Sequence, residues 1–298
     1  MGKSTKDKRD IYYRLAKEQG LRARSAFKLL QINSEFNILN DNVKRVVDLC
    51  AAPGRFFILM YIFTNIFSFI LEPLYASFDT HYQLYRKKMS VQIEIRWSQV
   101  LSRTLYKTDS VDEQVKIVAV DLQTMAPLPG VEQIKGDITK RSTIEEILNR
   151  FKTSDDKINK ADLVICDGAP DVTGLHDIDE FVQGNLVLAA LNICLHVLCE
   201  NGNFVSKIFR TKNIDLLYQQ LKLFFDDVVI AKPRSSRNSS VESFIVCRQF
   251  HLPDNFIPNM DEPFVYTYER TLNNAETSSS IIPFIACGTN STTYSSSL

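Results

Sequence analysis

The sequence predicts an α/β protein built on a mostly parallel, doubly wound sheet. Apolar runs of strand length recur along the chain, and segments with helical patterns lie between them. Strands that alternate with helices form parallel sheets with helices on both faces. The last two runs are joined by residues 232–240, which are too few for a crossover helix. We therefore expect that pair to be antiparallel, so that the sheet has one antiparallel edge strand.

The predicted strands are six apolar runs, at 45–49, 116–120, 162–166, 204–208, 228–231 and 243–247. The clearest helical pattern covers 177–199, and the Asn-Gly-Asn sequence at 201–203 supplies a stop for it. Beyond about residue 270 the chain becomes polar and rich in serine and threonine. We expect one domain over 1–270 and a polar, partly docked C-terminal tail over 271–298.

The composition is that of a globular protein without a net charge. The 298 residues are 45% hydrophobic, which is enough for a substantial core, and Lys plus Arg equal Asp plus Glu at 35 each. Any basic surface must therefore be local. The first 28 residues hold nine basic residues against three acidic ones. A solvated terminus and a nucleic-acid contact both fit this segment, and Tyr12 and Tyr13 favour the contact.

The cysteines and the N-terminus indicate where the protein is located. The six cysteines show no paired CxxC spacing, and most lie in apolar runs, which indicates a reducing compartment and argues against zinc. Residues 1–4 lead into charged residues instead of an apolar segment, so no secretory signal is expected. Cytoplasm or nucleus is the expected location, and the cytoplasm is our prediction.

Small or acidic residues follow the first predicted strands, at the edge where open α/β sheets bind ligands. Gly54 comes after the first strand and lets the backbone approach a ligand. Asp121 follows the second, where an acidic residue accepts hydrogen bonds from the ribose hydroxyls of a nucleoside cofactor. Asp137 follows another apolar stretch and suits an adenine edge. One such residue alone is more often a helix N-cap, but three in this order favour a cofactor site.

Two charged residues lie where apolar strands end. Asp167 directly follows one strand, and Lys207 lies within the apolar run 204–208. A lysine there is costly unless it is paired, so an ion-paired or snorkelling lysine is the alternative to a functional one. Lys28 and Glu242 would each be unremarkable alone.

Long stretches of the chain carry a family resemblance. They are residues 4–39, 46–54, 97–103, 118–139, 161–246 and 284–288. The chain resembles the FtsJ-type RNA ribose 2'-O-methyltransferases, and within them the eukaryotic tRNA anticodon-loop branch. The resemblance implies a Rossmann-like, S-adenosylmethionine-dependent methyltransferase fold. It further implies methylation of tRNA nucleotides 32 and 34, with a helical-repeat protein and a WD-repeat protein as partners that select the nucleotide.

The same resemblance implies a Lys-Asp-Lys-Glu catalytic tetrad, which maps onto Lys28, Asp167, Lys207 and Glu242. A ribose hydroxyl is a weak acid and must lose its proton as the new bond forms, and Lys207 is our candidate proton acceptor. The nearby cation Lys28 and partial desolvation would favour the neutral form of Lys207, while the two carboxylates orient both ammonium groups. No metal is expected.

The implied cofactor contacts are Gly54, Asp121, Asp137, Asp167 and an aromatic that maps onto Trp97. Basic residues flanking the tetrad are predicted to contact RNA phosphates: Arg24, Arg210, Lys212, Arg234 and Arg237.

One segment departs from the family pattern. The family continues from the cofactor glycine almost at once into the tryptophan and a helix, whereas here that continuation resumes only at Arg96 and Trp97. Our hypothesis is that 56–96 is translated intron sequence or another gene-model artefact. A membrane element is the rival interpretation, but the uncharged run 56–71 is shorter than the ~20 residues that span a bilayer. If the insert is made, it should loop out at the cofactor site and weaken cofactor binding.

Two other functions stay open. One is a catalytically impaired RNA-binding or scaffold protein with the same fold, and the other is an rRNA methyltransferase of the same family. A Rossmann dehydrogenase is disfavoured because the sequence Ala-Ala-Pro-Gly at 51–54 does not provide GxGxxG after the first strand.

Overall fold

A computed structural model of the chain describes residues 11–18, 25–52, 97–106, 114–170, 176–210, 214–237, 239–261, 263–264 and 282–288. The helices in these residues are α1 (Ile11–Glu18), α2 (Ser25–Phe36), α3 (Trp97–Leu105), α4 (Arg141–Arg150), α5 (His176–Val197) and α6 (Ile214–Lys222). The strands are β1 (Arg45–Leu49), β2 (Lys116–Asp121), β3 (Val131–Lys135), β4 (Ala161–Cys166), β5 (Leu198–Phe209), β6 (Phe225–Pro233), β7 (Glu242–Phe250) and β8 (Phe284–Cys287).

All eight strands form one sheet in the order β3-β2-β1-β4-β5-β7-β6-β8. Every neighbouring pair is parallel except β5 with β7 and β6 with β7. The predicted α/β class, with a mostly parallel sheet, is therefore confirmed, and each of the six predicted strands is present. Two strands, β3 and β8, come in addition to those six.

The predicted position of the antiparallel strand is wrong. The reversed strand is β7, which lies between β5 and β6 instead of at an edge. Its residues 243–247 are all buried, so both faces of the strand are apolar or small. Such a strand gains most when it is covered on both sides, and it fills the gap that the crossover through α6 leaves between β5 and β6. The edge is taken by β8, from the segment predicted as a tail.

The helix predicted over 177–199 ends two residues earlier, at Val197. Leu198 already pairs with Ala161 in β4, and Asn203 pairs with Leu163 two residues further along that strand. The extra residues of β5 form an irregularity in which Asn201 has a φ of 61°. The Asn-Gly-Asn sequence therefore shapes a bulge within β5 instead of stopping a helix.

The sheet separates two apolar cores. One lies against α4, α5 and α6 and includes Val47, Leu191 and Phe225, while the other lies against α2 and α3 and includes Val46 and Phe27. By length and composition, Asp177–Val197 of α5 could cross a membrane, but 72% of its apolar stretch is buried inside the protein. The carboxyl ends of β1, β4 and β5, the amino end of β7 and helix α2 meet at one edge, which carries the site.

Candidate functional site

Four elements bring the predicted tetrad together. Asp167 follows β4, Lys207 lies near the end of β5, Glu242 begins β7 and Lys28 lies on α2. Lys207 lies two residues after Val205 on β5, and side chains two residues apart on a strand share a face. Val205 packs towards α2, so Lys207 projects to the α2 face of the sheet as well. Because β5 and β7 are antiparallel, with Phe209 opposite Glu242, the carboxylate lies diagonally next to Lys207.

The tetrad consists of two ion pairs that share one buried space. Lys207 Nζ lies 2.5 Å from Asp167 Oδ1 and donates a 2.8 Å hydrogen bond to the Asp167 carbonyl oxygen. Lys28 Nζ lies 2.6 Å from Glu242 Oε1, and Lys207 Nζ lies 3.9 Å from Glu242 Oε2. The four side chains are only 9–16% exposed. Charges buried this far are stable only when paired, so each group depends on its neighbours.

The electrostatics differ between the two charged groups at the α2 end. Burial lowers the pKa of Lys28, and the positive charge of Lys207 adds to this, against the attraction of Asp167 and Glu242. Burial alone would raise the pKa of Glu242, but Lys28 and Lys207, with hydrogen bonds from Lys28 and Ser236, outweigh it and lower the pKa to about 2. Glu242 is therefore ionised at neutral pH, next to the amino groups of Lys28 and Lys207.

A second set of polar side chains holds the tetrad, and the sequence did not reveal it. Ser236 Oγ donates to Glu242 Oε1 at 2.8 Å. Its neighbour Ser235 donates from its backbone nitrogen and its hydroxyl to Gln31 Oε1, at 3.0 Å and 2.9 Å. Gln31 is one helical turn after Lys28 on α2, so this contact ties the lysine helix to the loop that holds the carboxylate. The sequence shows that Lys28 and Gln31 are three residues apart, but it does not show that Gln31 contacts the loop of Ser235.

Gln183 on α5 supports the Lys207–Asp167 pair in a similar way. It is buried, and its side-chain amide donates to the carbonyl oxygens of Lys207 at 2.8 Å and Gly168 at 3.3 Å. This joins the loop after β4 to strand β5. Gly168 has no room for a side chain, since a Cβ would meet Leu186 Cδ2 at 2.8 Å and the Cys50 side chain at 3.0 Å. The loop carrying Asp167 is thus packed closely against the loop after β1.

Asp121 links the first two loops of the predicted cofactor site. Its Oδ2 accepts from Ala52 N at 3.1 Å, and its Oδ1 accepts from Gln123 N at 2.8 Å. Burial raises its pKa to about 6, against these backbone hydrogen bonds. A backbone hydrogen bond from Leu122 also lowers the pKa. Gly136 N donates to the Asp121 carbonyl oxygen at 2.9 Å, which brings the loop after β3 to the same place.

Asp137 also has a structural role. Its Oδ1 accepts from the backbone nitrogen and the hydroxyl of Thr139, at 2.9 Å and 2.8 Å, which closes a turn before α4. The adenine contact predicted for it stays a prediction. Gly54, Arg24 and Lys212 lie outside the described residues, as does the proposed insert 56–96.

Trp97 lies in the core between α2, α3 and the sheet. Its side chain is 1% exposed, its ring nitrogen donates to Ser25 O at 2.9 Å, and its ring lies 5.5 Å from that of Phe244. The next residue, Ser98, donates to Asp48 Oδ2 at 2.5 Å, and burial raises the pKa of Asp48 to about 7. These contacts anchor the start of α3 on β1 and α2. The cofactor contact of Trp97 stays a prediction.

Three predicted RNA-binding residues are exposed around the same edge of the sheet. Arg210 follows β5, and Arg234 and Arg237 lie in the connection between β6 and β7. The half-buried Lys232 joins them and donates from Nζ to the carbonyl oxygen of Glu242 at 2.8 Å. Among the described residues, no group of three or more His, Cys, Asp and Glu side chains could hold a metal ion.

Two buried lysine–carboxylate pairs lie at the ligand edge of a largely parallel α/β sheet, together with the carboxylate of Asp121. A sequence model described as FtsJ-like methyltransferase matches residues 21–66 and 96–250, more than half of the chain. The chain therefore belongs to the FtsJ-like methyltransferase family, as the sequence motifs predicted.

Within that family, the chain is similar to a mouse protein named tRNA (cytidine(32)/guanosine(34)-2'-O)-methyltransferase. The two are 48% identical over 290 residues, which cover 97% of this chain and 74% of the mouse protein. An Eremothecium gossypii protein named AdoMet-dependent rRNA methyltransferase SPB1 is 35% identical over 262 residues, covering 88% of this chain and 25% of that protein. Among solved structures, a ribosomal RNA methyltransferase from Plasmodium falciparum matches with a TM-score of 0.51 and 22% identity, over 77% of this chain and 98% of that one. This last likeness supports the fold.

Proposed function

We propose that the chain is an S-adenosylmethionine-dependent tRNA ribose 2'-O-methyltransferase that acts on nucleotides 32 and 34 of the anticodon loop. The observation that carries the proposal is the pair of buried ion pairs, Lys28 with Glu242 and Lys207 with Asp167, at the ligand edge of the sheet. The names of the more similar relatives favour tRNA as the substrate, since the rRNA enzyme is 35% identical and the tRNA enzyme 48%.

The residues of the tetrad divide the work of removing a proton from the ribose hydroxyl. Lys207 Nζ is the proton acceptor in the proposal, held by the carboxylate and the carbonyl oxygen of Asp167. Glu242 stays ionised and forms an ion pair with Lys28, which lies close to Lys207.

The acidic residues at this edge fit the nucleoside part of the cofactor. Asp121 is the acidic residue after β2, and its carboxylate is the proposed acceptor for the ribose hydroxyls. Asp137, Asp167, Gly54 and Trp97 complete the proposed contacts. When bound, S-adenosylmethionine supplies a methyl group on a positively charged sulfur. Asp167 is the one residue that belongs to both the cofactor contacts and the tetrad, so it orients the lysine relative to the methyl donor.

We also propose that 56–96 is an insert that the family domain does not need. The family model matches 21–66 and 96–250, so residues 67–95 of this segment lie outside it and residues 56–66 lie inside it. The residues on either side are both anchored to the fold, Ala52 by Asp121 and Ser98 by Asp48, which is only four residues before Ala52. We expect removal of the segment to leave β1 and α3, the elements that flank it, in place.

Partners and location complete the proposal. A helical-repeat protein and a WD-repeat protein are the proposed partners that select nucleotide 32 or 34, and the cytoplasm is the proposed location. Both rest on the resemblance to the tRNA branch of the family.

The proposal is tested by methyl transfer from labelled S-adenosylmethionine to tRNA and to rRNA. We would compare the full chain with a chain that lacks 56–96, each with and without the partner proteins. Transfer to tRNA, mapped to nucleotides 32 and 34, is the expected result. Activity only after the deletion supports the artefact hypothesis. Transfer to rRNA alone would identify the rRNA alternative, and no transfer from either chain with partners present would favour the scaffold.

A further inference from the structure

We propose that the side chains of Phe284, Val241 and Arg210 form a platform on which an unpaired base of the RNA substrate stacks, beside the nucleotide that is methylated. The inference rests on the proposed function and deepens it, because it names the residues that hold a neighbouring nucleotide. We call these three side chains the Phe284 platform.

The platform is an exposed apolar surface built around one cation. The Arg210 guanidinium lies 5.1 Å from the centre of the Phe284 ring, and Arg210 N donates to Val241 O at 2.9 Å. Phe284 and Val241 are each 48% exposed. The contact with Arg210 fixes the ring, so that its apolar surface is presented to solvent in a defined position.

The platform adjoins the tetrad around the edge of the sheet. Val241 immediately precedes Glu242, and Arg210 comes three residues after Lys207. Ile285 and Cys287 pack on the α2 face, so Phe284 projects to the opposite face of β8. Because the tetrad lies on the α2 face, an RNA strand with one ribose at the tetrad would have to pass around the carboxyl end of β5 to reach the platform.

The charge around the platform suits RNA. The exposed Arg234 and the half-buried Lys232 lie in the adjoining part of β6 and its loop. The pKa of Lys232 is lowered, first by burial and then by the positive charges of Arg210 and Lys28, against the attraction of Glu242. Cations that repel one another in this way are matched by a phosphate backbone.

Stacking is the chemistry by which unpaired bases are held. Bases of single-stranded RNA loops stack on aromatic rings and on arginine guanidinium planes, and both kinds of group are present here. The strand that carries Phe284 also lies beyond residue 250, outside the residues that the family model matches. Arg210 and Val241 lie within the residues that the family model matches, and Phe284 lies beyond them.

The test is the affinity of the full chain for a fluorescently labelled tRNA anticodon stem-loop, measured by anisotropy at one fixed salt concentration. We expect Phe284→Ala to raise the Kd about tenfold, within the range for losing one stacked base. Phe284→Trp should restore affinity and Phe284→Leu should not, because leucine is apolar but has no ring. Arg210→Lys keeps the charge but loses the planar group, and should weaken binding as well. Leu223→Ala is the matched control, since Leu223 is 55% exposed just before β6, at the opposite edge of the sheet.

Several results would overturn the platform. Unchanged affinity in Phe284→Ala, or full affinity in Phe284→Leu, would exclude stacking on this ring. Loss of a protein partner with RNA affinity intact would make the surface a protein interface instead. Thermal melting of each variant guards against misfolding, and Arg210→Lys provides a second test if Phe284→Ala does not fold. The binding assay is independent of methyl transfer: an inactive wild-type chain would refute the proposed function and still leave the platform testable.

Discussion

Removing the charge of Glu242 is predicted to destabilise the protein in a pH-dependent way. The Glu242→Gln substitution keeps the shape and an oxygen for the Ser236 hydroxyl, but it removes the anion beside Lys28 and Lys207. The pKa of Glu242 is lowered from 4.5 to about 2 by its surroundings. At about 1.4 kcal/mol for each pKa unit, the interactions of the ionised form contribute on the order of 3 kcal/mol to folding.

The sign of the pH dependence follows from the lowered pKa. The folded protein binds a proton at Glu242 less readily than the unfolded chain, so the stabilisation is fully present above the unfolded value of 4.5. It is lost as the pH falls through the folded value of about 2. The gap in unfolding free energy between wild type and Glu242→Gln should thus be constant near neutral pH and shrink below about pH 4.5.

The assay is urea unfolding, followed by circular dichroism, at several pH values between 3.5 and 7. Glu146→Gln is the matched control, because Glu146 pairs with Arg150 at 3.2 Å on the surface of α4 with a side chain 45% exposed. A surface pair of this kind contributes about 0.3–0.5 kcal/mol. The reasoning is refuted if Glu242→Gln is no less stable than Glu146→Gln at pH 7, or if the gap between wild type and Glu242→Gln does not change with pH.

Three further predictions concern catalysis, cofactor binding and the support of the tetrad. Lys207→Ala should lower the rate of methyl transfer by about 10²–10⁴, the usual effect of losing a general base, with RNA binding largely retained. Asp121→Asn should weaken S-adenosylmethionine binding, measured by calorimetry. Wild-type affinity should also fall as the pH drops below about 6, where the Asp121 carboxylate becomes protonated. Gln31→Ala should cost about 1–3 kcal/mol, since it leaves the Ser235 donors unpaired in a buried place, and should lower kcat more than it raises KM.

Each of these has a control and an opposing result. An active Lys207→Ala enzyme would refute the proposed mechanism. RNA affinity measured on the same variant distinguishes a loss of methyl transfer from a loss of RNA binding. Equal cofactor affinity in Asp121→Asn would mean that the ribose contact is misplaced. Gln219→Ala removes an exposed glutamine from α6 and serves as the control for Gln31→Ala. Equal kinetics in these two variants would show that the Gln31 contact does not position Lys28.

The local pattern of residues was enough to predict most of the fold. Apolar runs marked six strands within a few residues, because a strand buried on both faces needs continuous apolar sequence. The same pattern could not reveal the place of β7, since strand order depends on which neighbour covers both faces. Phe284–Cys287 was assigned to a polar tail because its strand is short, and its pairing with β6 comes from distant residues.

In the candidate site, too, some features were predictable from the sequence and others were not. Matching of motifs predicted four members of a tetrad, and the structure brings these four residues together in ion pairs, while their catalytic role stays a prediction. Neither motif nor spacing could identify Ser236, Gln31 or Gln183 as their supports, because single polar residues have no distinctive local pattern. Trp97 illustrates the converse, since its motif was clear but its surroundings became known only with the packing of α2, α3 and β7.

The sequence by itself determined the class of fold, the family and the charged residues that can carry the chemistry. These features follow from periodicity and motifs, which can be recognised in the sequence without the three-dimensional structure. The tertiary structure alone decided that Lys28 pairs with Glu242, that Gln31 ties α2 to the loop before β7, and that Phe284 lies next to Arg210. Each joins residues at least 74 positions apart in the chain. Contacts over such separations are set by how the sheet orders its strands, so no local reading of the chain can supply them.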